Sequence, residues 1–318
     1  MANALIETKG LTKYFNTPKG TLHAVESVSV AINEGETLGV VGESGCGKTT
    51  LGRVITRLTD ATQGEVLLNG QNILNLRGKQ KKIIYDNIQM IFQDPYSSLN
   101  PRLSVGNIIE DPLKNSGRKM SRKELQEKAY SLMEQVGLPG RYYNAYPHEL
   151  DGGRRQRVGL ARALALDPRF IVCDEPVSAL DVSIQAQILN LLMDLQEEKK
   201  LSYMFITHNM FVVKHISNHI MVMYMGQVVE YASKSKLFAN PAHPYTKALL
   251  NAIPQPDLST RNARKTLLKG EVSSPINPKK GCRFAPRCPY ATKRCAEGDI
   301  PLMKIEQDHL CACTLFEQ

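Results

Sequence analysis

Apolar and polar positions along this 318-residue chain change period several times, and each change marks an element. Residues 5–41 read as short β segments. Within them Ala24-Val25-Glu26-Ser27-Val28-Ser29-Val30 alternates with period two, as a strand with one buried face does, and Glu36–Val41 runs into a glycine-rich turn. A helix is expected from Gly47 through the Leu51–Leu58 region, with further strands at Val66–Leu68 and Ile88–Phe92. Residues 104–166 follow helical spacing, broken at Gly137-Leu138-Pro139-Gly140 and around Pro147. Phe170–Cys173 is continuously apolar, which fits a strand buried on both faces. A helix over 183–199, a strand at Tyr203–Thr207, a helix near 210–217 and a strand-like His219–Met225 follow. Past about residue 240 the periodicity weakens, and Pro241, Pro244, Pro254, Pro256, Pro275 and Pro278 punctuate an extended appendage. There is no repeat at solenoid periods.

Strands alternating with helices predict an α/β core with a mainly parallel sheet. N-terminal antiparallel β segments precede it, and a helical subdomain at about 104–166 is inserted into it. A chain of this length buries a large core, so one main domain at 1–240 and a C-terminal extension at 241–318 are expected. No apolar run approaches the roughly 18–20 residues of a membrane span. The start, Met-Ala-Asn-Ala-Leu-Ile-Glu, lacks the basic and apolar stretches of a signal peptide. These features predict a cytoplasmic protein, one that reaches any membrane it works at through partners.

Net charge is +9, which suits a solvated basic surface or an anionic ligand, whether nucleotide, lipid or nucleic acid. The charge is uneven: Arg261 to Arg294 holds ten Lys or Arg and one acid, Glu271. Of seven cysteines, Cys46 and Cys173 sit inside nucleotide motifs as small side chains. Cys282, Cys288, Cys295, Cys311 and Cys313 crowd the last 37 residues, a cluster that suggests metal before disulfide in a reducing compartment.

Gly42-Glu43-Ser44-Gly45-Cys46-Gly47-Lys48-Thr49 matches the P-loop pattern G-x-x-x-x-G-K-[ST], between a predicted strand and a predicted helix. Its glycines let successive backbone N–H groups, on to Thr50, turn toward one anion, and the helix start adds its positive end. Lys48 is expected on the β- and γ-phosphates of ATP, and Thr49 on Mg²⁺. Asp174-Glu175 ends the buried Phe170–Cys173 run. Asp174 is placed to hold Mg²⁺ and Glu175 to orient, or take a proton from, the attacking water. An α/β P-loop NTPase core follows from these two motifs together.

Further along the chain stand Gln93, Leu150-Asp151-Gly152-Gly153-Arg154, Ser178-Ala179-Leu180-Asp181 and His208. With these in fixed order the sequence resembles an ABC transporter ATPase subunit over nearly its whole length. The resemblance implies two nucleotide domains sandwiching two ATP molecules, each ATP meeting the P-loop of one domain and the 150–154 stretch of the other. It implies Gln93 at Mg²⁺ or the lytic water, His208 at the γ-phosphate, Asp181 coupling the two sites, and Phe15, or else Tyr14, stacked on adenine. Gln93-Asp94-Pro95-Tyr96-Ser97-Ser98-Leu99-Asn100-Pro101-Arg102 and His243-Pro244-Tyr245-Thr246-Lys247-Ala248-Leu249-Leu250 are similar to oligopeptide/dipeptide importer ATPases. That narrower resemblance implies uptake of di- or oligopeptides by a heterodimer with a second ABC ATPase, two transmembrane permeases and an extracellular solute-binding protein. It places this subunit peripherally on the cytoplasmic face of the cell membrane, with no nucleic-acid partner. Nickel, glutathione and opine importers share the architecture, and a non-transport ABC ATPase is the remaining alternative.

The 150–154 stretch departs from the family spelling Leu-Ser-Gly-Gly-Gln. Asp151 replaces a hydroxyl donor by a carboxylate, which is acceptor-only when ionised. At an effective dielectric of about 20, like charges ~4 Å apart repel by on the order of 4 kcal/mol. The partner's ATP, facing Asp151, is therefore expected to be hydrolysed poorly unless Arg154 or Arg155 draws the carboxylate aside. Asn209 after His208 is a second departure, where the family commonly has Asp.

Cys282, Cys288, Cys295 and Cys313 are separated by five, six and seventeen residues. That spacing matches neither zinc-ribbon nor bacterial ferredoxin patterns, and chemistry alone leaves zinc, iron–sulfur and unligated thiols open. The resemblance to peptide-importer ATPases points to a [4Fe-4S] cluster on these four, with the His309…Cys313 spacing matched and Cys311 spare or an alternative ligand. Arg283, Arg287, Lys293 and Arg294 would then offset the cluster's negative charge. A C-terminal metal-binding appendage completes the expected fold.

Overall fold

The computed structural model describes residues 4–252 and 274–317. Pro254, Pro256 and the basic residues Arg261, Arg264, Lys265 and Lys269 lie outside the described residues.

The chain opens with β1 (Ile6–Thr17), β2 (Gly20–Ile32) and β3 (Thr37–Val41), followed by α1 (Lys48–Ile55), β4 (Gln63–Leu68) and β5 (Gln71–Asn72). Next come α2 (Lys82–Asn87), β6 (Ile88–Ile91), the single turn α3 (Pro95–Ser98), α4 (Val105–Asn115), α5 (Arg122–Gln135) and α6 (Gly152–Leu164). The second half holds β7 (Phe170–Asp174), α7 (Val182–Lys199), β8 (Ser202–Ile206), α8 (Met210–Ile216), β9 (His219–Tyr224) and β10 (Gln227–Ser233). Helices α9 (Lys234–Ala239) and α10 (Pro244–Asn251), then β11 (Met303–Glu306) and β12 (His309–Cys311), finish it.

Two sheets form. A small antiparallel sheet runs β2-β1-β4-β5, and a large one runs β11-β12-β10-β9-β3-β8-β7-β6. In the large sheet the pairs β9–β3, β3–β8, β8–β7 and β7–β6 are all parallel. Every residue of β3, β7 and β8 is buried, which is why these strands read as mostly apolar runs rather than as alternation, with Thr37, Asp174 and Ser202 at their ends. The alternating Ala24–Val30 run lies within the longer β2, which shows one face to the core formed by Val25, Val28, Val30 and Ile32.

The helical block 104–166 contains α4, α5 and α6, and between α5 and α6 the chain keeps only short 3-10 turns at Gly140–Tyr142 and Pro147–Glu149. Ser121 caps α5 with a reciprocal Ser121–Glu124 box. Ile108, Ile109, Leu132, Met133 and Val158 of this block join Cys173 and Tyr203 of the sheet and Ile188 of α7 in one core cluster.

The C-terminal extension is not a loosely hung appendage. Strand β12 pairs with β10 in the register Tyr231↔Leu310 and extends the large sheet. Phe284 is 1% exposed and packs among Tyr224, Tyr245 and His243. Glu230 of β10, fully buried, accepts hydrogen bonds from the backbone N–H groups of Ala242 and His243 and from His309 Nε2, each at 2.8 Å. One buried carboxylate thereby ties β10, the start of α10 and β12 together.

Candidate nucleotide site

The buried strand β3 delivers Gly42–Thr49 to the carboxyl ends of the parallel strands, where open α/β sheets place their ligands. Gly47 caps α1 at φ 105°, and a Cβ there would sit 2.0 Å from the Ala24 carbonyl oxygen of β2. Gly42, at φ 152°, is crowded likewise by the Met223 carbonyl at 2.2 Å. Only glycine lets the loop thread between these two backbones. Ser44 and Gly45 are exposed at the loop's crest, Thr50 is half-buried in α1, and Cys46 is buried beneath, where burial pushes its thiol pKa up. That keeps Cys46 a small neutral side chain.

Lys48 is 5% exposed, and its Nζ donates to the carbonyls of Gly42 at 2.7 Å and Glu43 at 3.0 Å. A buried ammonium answered by neutral carbonyls is well matched to an incoming phosphate. Thr49 Oγ1 donates to Asp174 Oδ1 at 2.8 Å, although the two residues are 125 apart in sequence. Asp174 is 1% exposed, and burial raises its carboxyl pKa, with the Thr49 hydroxyl acting in the opposite direction. A hydroxyl and a buried carboxylate side by side are the hard oxygen donors that Mg²⁺ takes, and the cation would relieve the desolvation.

Glu175 follows at once, with φ 46°, a left-handed backbone conformation costing roughly 1 kcal/mol or more for a non-glycine residue. Its N–H donates to the Ile206 carbonyl at 2.9 Å, which anchors the turn to β8. Its Oε2 accepts from Gln93 Nε2 at 3.1 Å, and its Oε1 lies 3.3 Å from His208 Nδ1. Three residues expected to act on water and γ-phosphate, from the ends of three neighbouring parallel strands, therefore meet at the Glu175 carboxylate. Asn209 caps α8, accepting from the N–H groups of Phe211 at 2.9 Å and Val212 at 3.4 Å. Asn fills that cap about as well as Asp.

The aromatic pair divides. Tyr14 turns inward: its hydroxyl donates to Glu26, its ring lies 4.1 Å from that of His23, and burial, first, then Glu26 raise its pKa to about 12. Phe15 is 37% exposed, with Lys13 Nζ 4.7 Å from its ring centre. It pairs with Leu22, two residues before the Ala24 whose carbonyl abuts Gly47.

In the 150–154 stretch Leu150 is buried and Asp151 caps α6. Asp151 Oδ1 accepts the Arg154 N–H at 2.8 Å, and Oδ2 pairs with the Arg154 guanidinium at 2.7 Å. Arg155 does not join this pair. Its Nε donates to the Pro147 carbonyl at 2.7 Å, and its guanidinium lies over Tyr96. Gly152 and Gly153 back onto Leu180 and Ile184, beside Asp181, which caps α7 through the Ile184 N–H at 3.1 Å.

Sequence patterns missed three contributors. Arg287 grips the Glu43 carboxylate through Nη1 at 2.8 Å and Nη2 at 3.1 Å. The Tyr245 hydroxyl accepts the Glu43 N–H at 2.8 Å. Arg162 Nη1 donates to the Ser98 carbonyl at 2.6 Å and ties the segment after Gln93 to α6. Each contact joins residues at least 64 apart in the chain, beyond any local spacing rule.

The expected [4Fe-4S] cluster and metal-binding appendage are corrected. Cys282, Cys288, Cys295 and Cys313 do line one cavity with His243 and Phe284, but its free volume is about 10 Å³, room for one water at most. Among the described residues, no group of three or more His, Cys, Asp or Glu is arranged to hold a metal ion, and all seven cysteines are free. Burial pushes the Cys282 thiol up to about 11 and raises Cys288 and Cys313, whereas at Cys295 burial is outweighed by hydrogen bonds involving Thr292 and Thr314 and the thiol is lowered. The arginines expected to offset cluster charge face carboxylates instead: Arg283 on Glu26, Arg287 on Glu43 and Arg294 on Glu317. His309 is committed to Glu230.

Residues 25–178 match the family described as ABC transporter, and residues 229–295 match the oligopeptide/dipeptide transporter C-terminal region. The chain is 48% identical over 315 residues to a dipeptide transport ATP-binding protein, DppF, of Haemophilus influenzae, covering 97% of this chain and 96% of that one. It is 49% identical over 308 residues to the oligopeptide transport ATP-binding protein OppF of Escherichia coli K12, covering 96% and 92%. Among solved structures, a dimeric ATP-binding cassette in a post-hydrolysis state bound to ADP and Pi superposes with TM-score 0.67 at 31% identity, over 72% of this chain and 98% of that one.

Proposed function

This chain belongs to the ABC transporter family of ATPases, and from that premise we propose that it is the ATP-hydrolysing subunit of an importer of di- or oligopeptides. The convergence of Gln93 and His208 on Glu175, beside the Thr49–Asp174 pair, carries this reading. Relatives named as dipeptide and oligopeptide transport ATP-binding proteins supply the substrate class.

ATP lies with its adenine on Phe15 and its phosphates on the 42–50 backbone and Lys48. Thr49 and Asp174 hold Mg²⁺, which supplies charge neutralisation on the phosphates. Glu175, steadied from both sides, orients a water and takes its proton as the water oxygen bonds to the γ-phosphorus and the bond to ADP breaks. Asp181 and the 150–154 stretch face the ATP of a second, related ATPase in a heterodimer. Two permeases and an extracellular solute-binding protein complete the complex, with this subunit peripheral on the cytoplasmic face. No helix among the described residues is long and apolar enough to cross a membrane, so the pathway for solute belongs to the permeases. Residues 1–240 form the ATPase unit and 241–318 the extension.

The test is ATP-driven uptake of labelled peptides by the complex in vesicles. Glu175→Gln should abolish turnover and uptake while leaving ATP binding intact. Turnover that ignores peptide and binding protein, with no uptake, defeats the proposal.

A further inference from the structure

Glu43, the second residue of the P-loop, is held from three sides, once by its own loop and twice by the C-terminal extension. Its carbonyl accepts from Lys48 Nζ at 3.0 Å. Its N–H is taken by Tyr245 of α10 at 2.8 Å, and its carboxylate by both terminal nitrogens of Arg287. The support behind these contacts is rigid. Tyr245 is 0% exposed and Phe284 1%, and both rings pack against Tyr224 at 4.7 and 5.3 Å. The Arg287 side chain is 7% exposed, and its Nε is buried without an acceptor, so the Glu43 carboxylate is the anion that answers this cation.

The geometry has an electrostatic consequence. A carboxylate in a phosphate-binding loop repels a triphosphate, as Asp151 would in the 150–154 stretch. A bidentate guanidinium both neutralises that charge and fixes its direction, which a lone ammonium does less well.

We infer that Arg287 is a positioning residue of the nucleotide site: from the C-terminal extension it turns the Glu43 carboxylate away from the phosphates and, with Tyr245, sets the P-loop in its binding shape. The extension is thus part of the nucleotide site. This rests on the ATP-binding reading above and adds to it a contribution from outside the ATPase motifs.

The test uses the full chain and a non-hydrolysable ATP analogue, measured by equilibrium binding, with KM and kcat taken on the assembled complex. Arg287→Ala frees an uncompensated carboxylate and should weaken analogue binding about tenfold, equivalent to about 1.4 kcal/mol. The loss should appear in KM with kcat little changed. Adding Glu43→Gln to Arg287→Ala removes the exposed charge and should restore binding to within about twofold, which lost packing alone would not do. Should Arg287→Ala misfold, Arg287→Lys, which keeps the charge without the fork, should give an intermediate affinity that falls with added salt. Wild-type affinity in Arg287→Ala and Arg287→Lys, or a loss that Glu43→Gln does not repair, overturns the inference. Failure of the wild-type chain itself to bind the analogue overturns the ATP-binding reading instead, and the inference with it.

Discussion

Removing Arg154 should damage hydrolysis more than removing the unusual Asp151 beside it. In the free chain the Asp151 and Arg154 side chains are 58% and 43% exposed and meet at 2.7 Å. Against a phosphate oxygen ~4 Å away, an unpaired carboxylate costs about 1 kcal/mol in water and on the order of 4 kcal/mol at an effective dielectric of about 20. A closing dimer interface lies between these limits, so roughly 1–3 kcal/mol is expected. Arg154→Gln, which restores the family's residue at that place, exposes the penalty and should lower turnover at the facing site by roughly 5- to 150-fold. Asp151→Ser removes charge while retaining a side chain that caps α6 comparably, so α6 should lose only a few tenths of a kcal/mol. Since Arg154 already offsets the carboxylate, Asp151→Ser alone should raise turnover by no more than about threefold, a gain of under 1 kcal/mol. The double variant Asp151→Ser/Arg154→Gln should recover what Arg154→Gln loses. The assay is steady-state ATP turnover of the assembled complex at low and high salt, because screening shrinks the penalty. Wild-type turnover in Arg154→Gln, or a double variant no better than Arg154→Gln, refutes the reasoning.

Glu230→Ala leaves three buried donors, the N–H groups of Ala242 and His243 and Nε2 of His309, without their acceptor, so about 3–5 kcal/mol of stability should go, visible in the urea midpoint. A loss below ~1 kcal/mol would show that water or repacking replaces the carboxylate. Burial holds the pKa of His243 down to about 4 against an ordinary 6.5, so between these pH values the unfolded chain binds the extra proton. Its contribution is therefore complete above about pH 6.5 and lost as pH falls toward 4, by about 3 kcal/mol. His243→Asn, which can still cap α10, should flatten that part of the stability–pH curve relative to wild type, and a parallel curve would count against the assignment. Phe15→Ala should raise KM for ATP by roughly 5- to 10-fold through lost stacking of about 1 kcal/mol, with kcat retained. Tyr14→Phe, which loses only a bond to Glu26, should leave KM within about twofold, and the reverse ranking would move the adenine to Tyr14.

Local pattern reached far into this molecule. The continuous apolar run Phe170–Cys173 placed β7, because a strand buried on both faces has few polar positions. The P-loop was legible because phosphate binding demands glycines and a lysine at fixed short spacing, and Asp174-Glu175 because a strand end imposes its own context. Strands β11 and β12 were not legible, having only four and three residues, and β12 is placed by pairing with β10 far back in the chain. The metal expectation failed for a related reason: cysteine spacing says which thiols can meet, while the free volume and polarity where they meet depend on Phe284, His243 and their neighbours.

By itself, then, the sequence determined the order of nucleotide motifs, the α/β core and the family resemblance, since each rests on residues close together in the chain. Only the tertiary structure decided which of those residues touch: Thr49 with Asp174, Gln93 and His208 with Glu175, Arg154 rather than Arg155 with Asp151. It also decided that the C-terminal extension reaches back to the P-loop through Arg287 and Tyr245. Coulombic and hydrogen-bond partners act over a few ångströms of space, and a parallel sheet with long crossovers brings into that range residues that no sequence window spans.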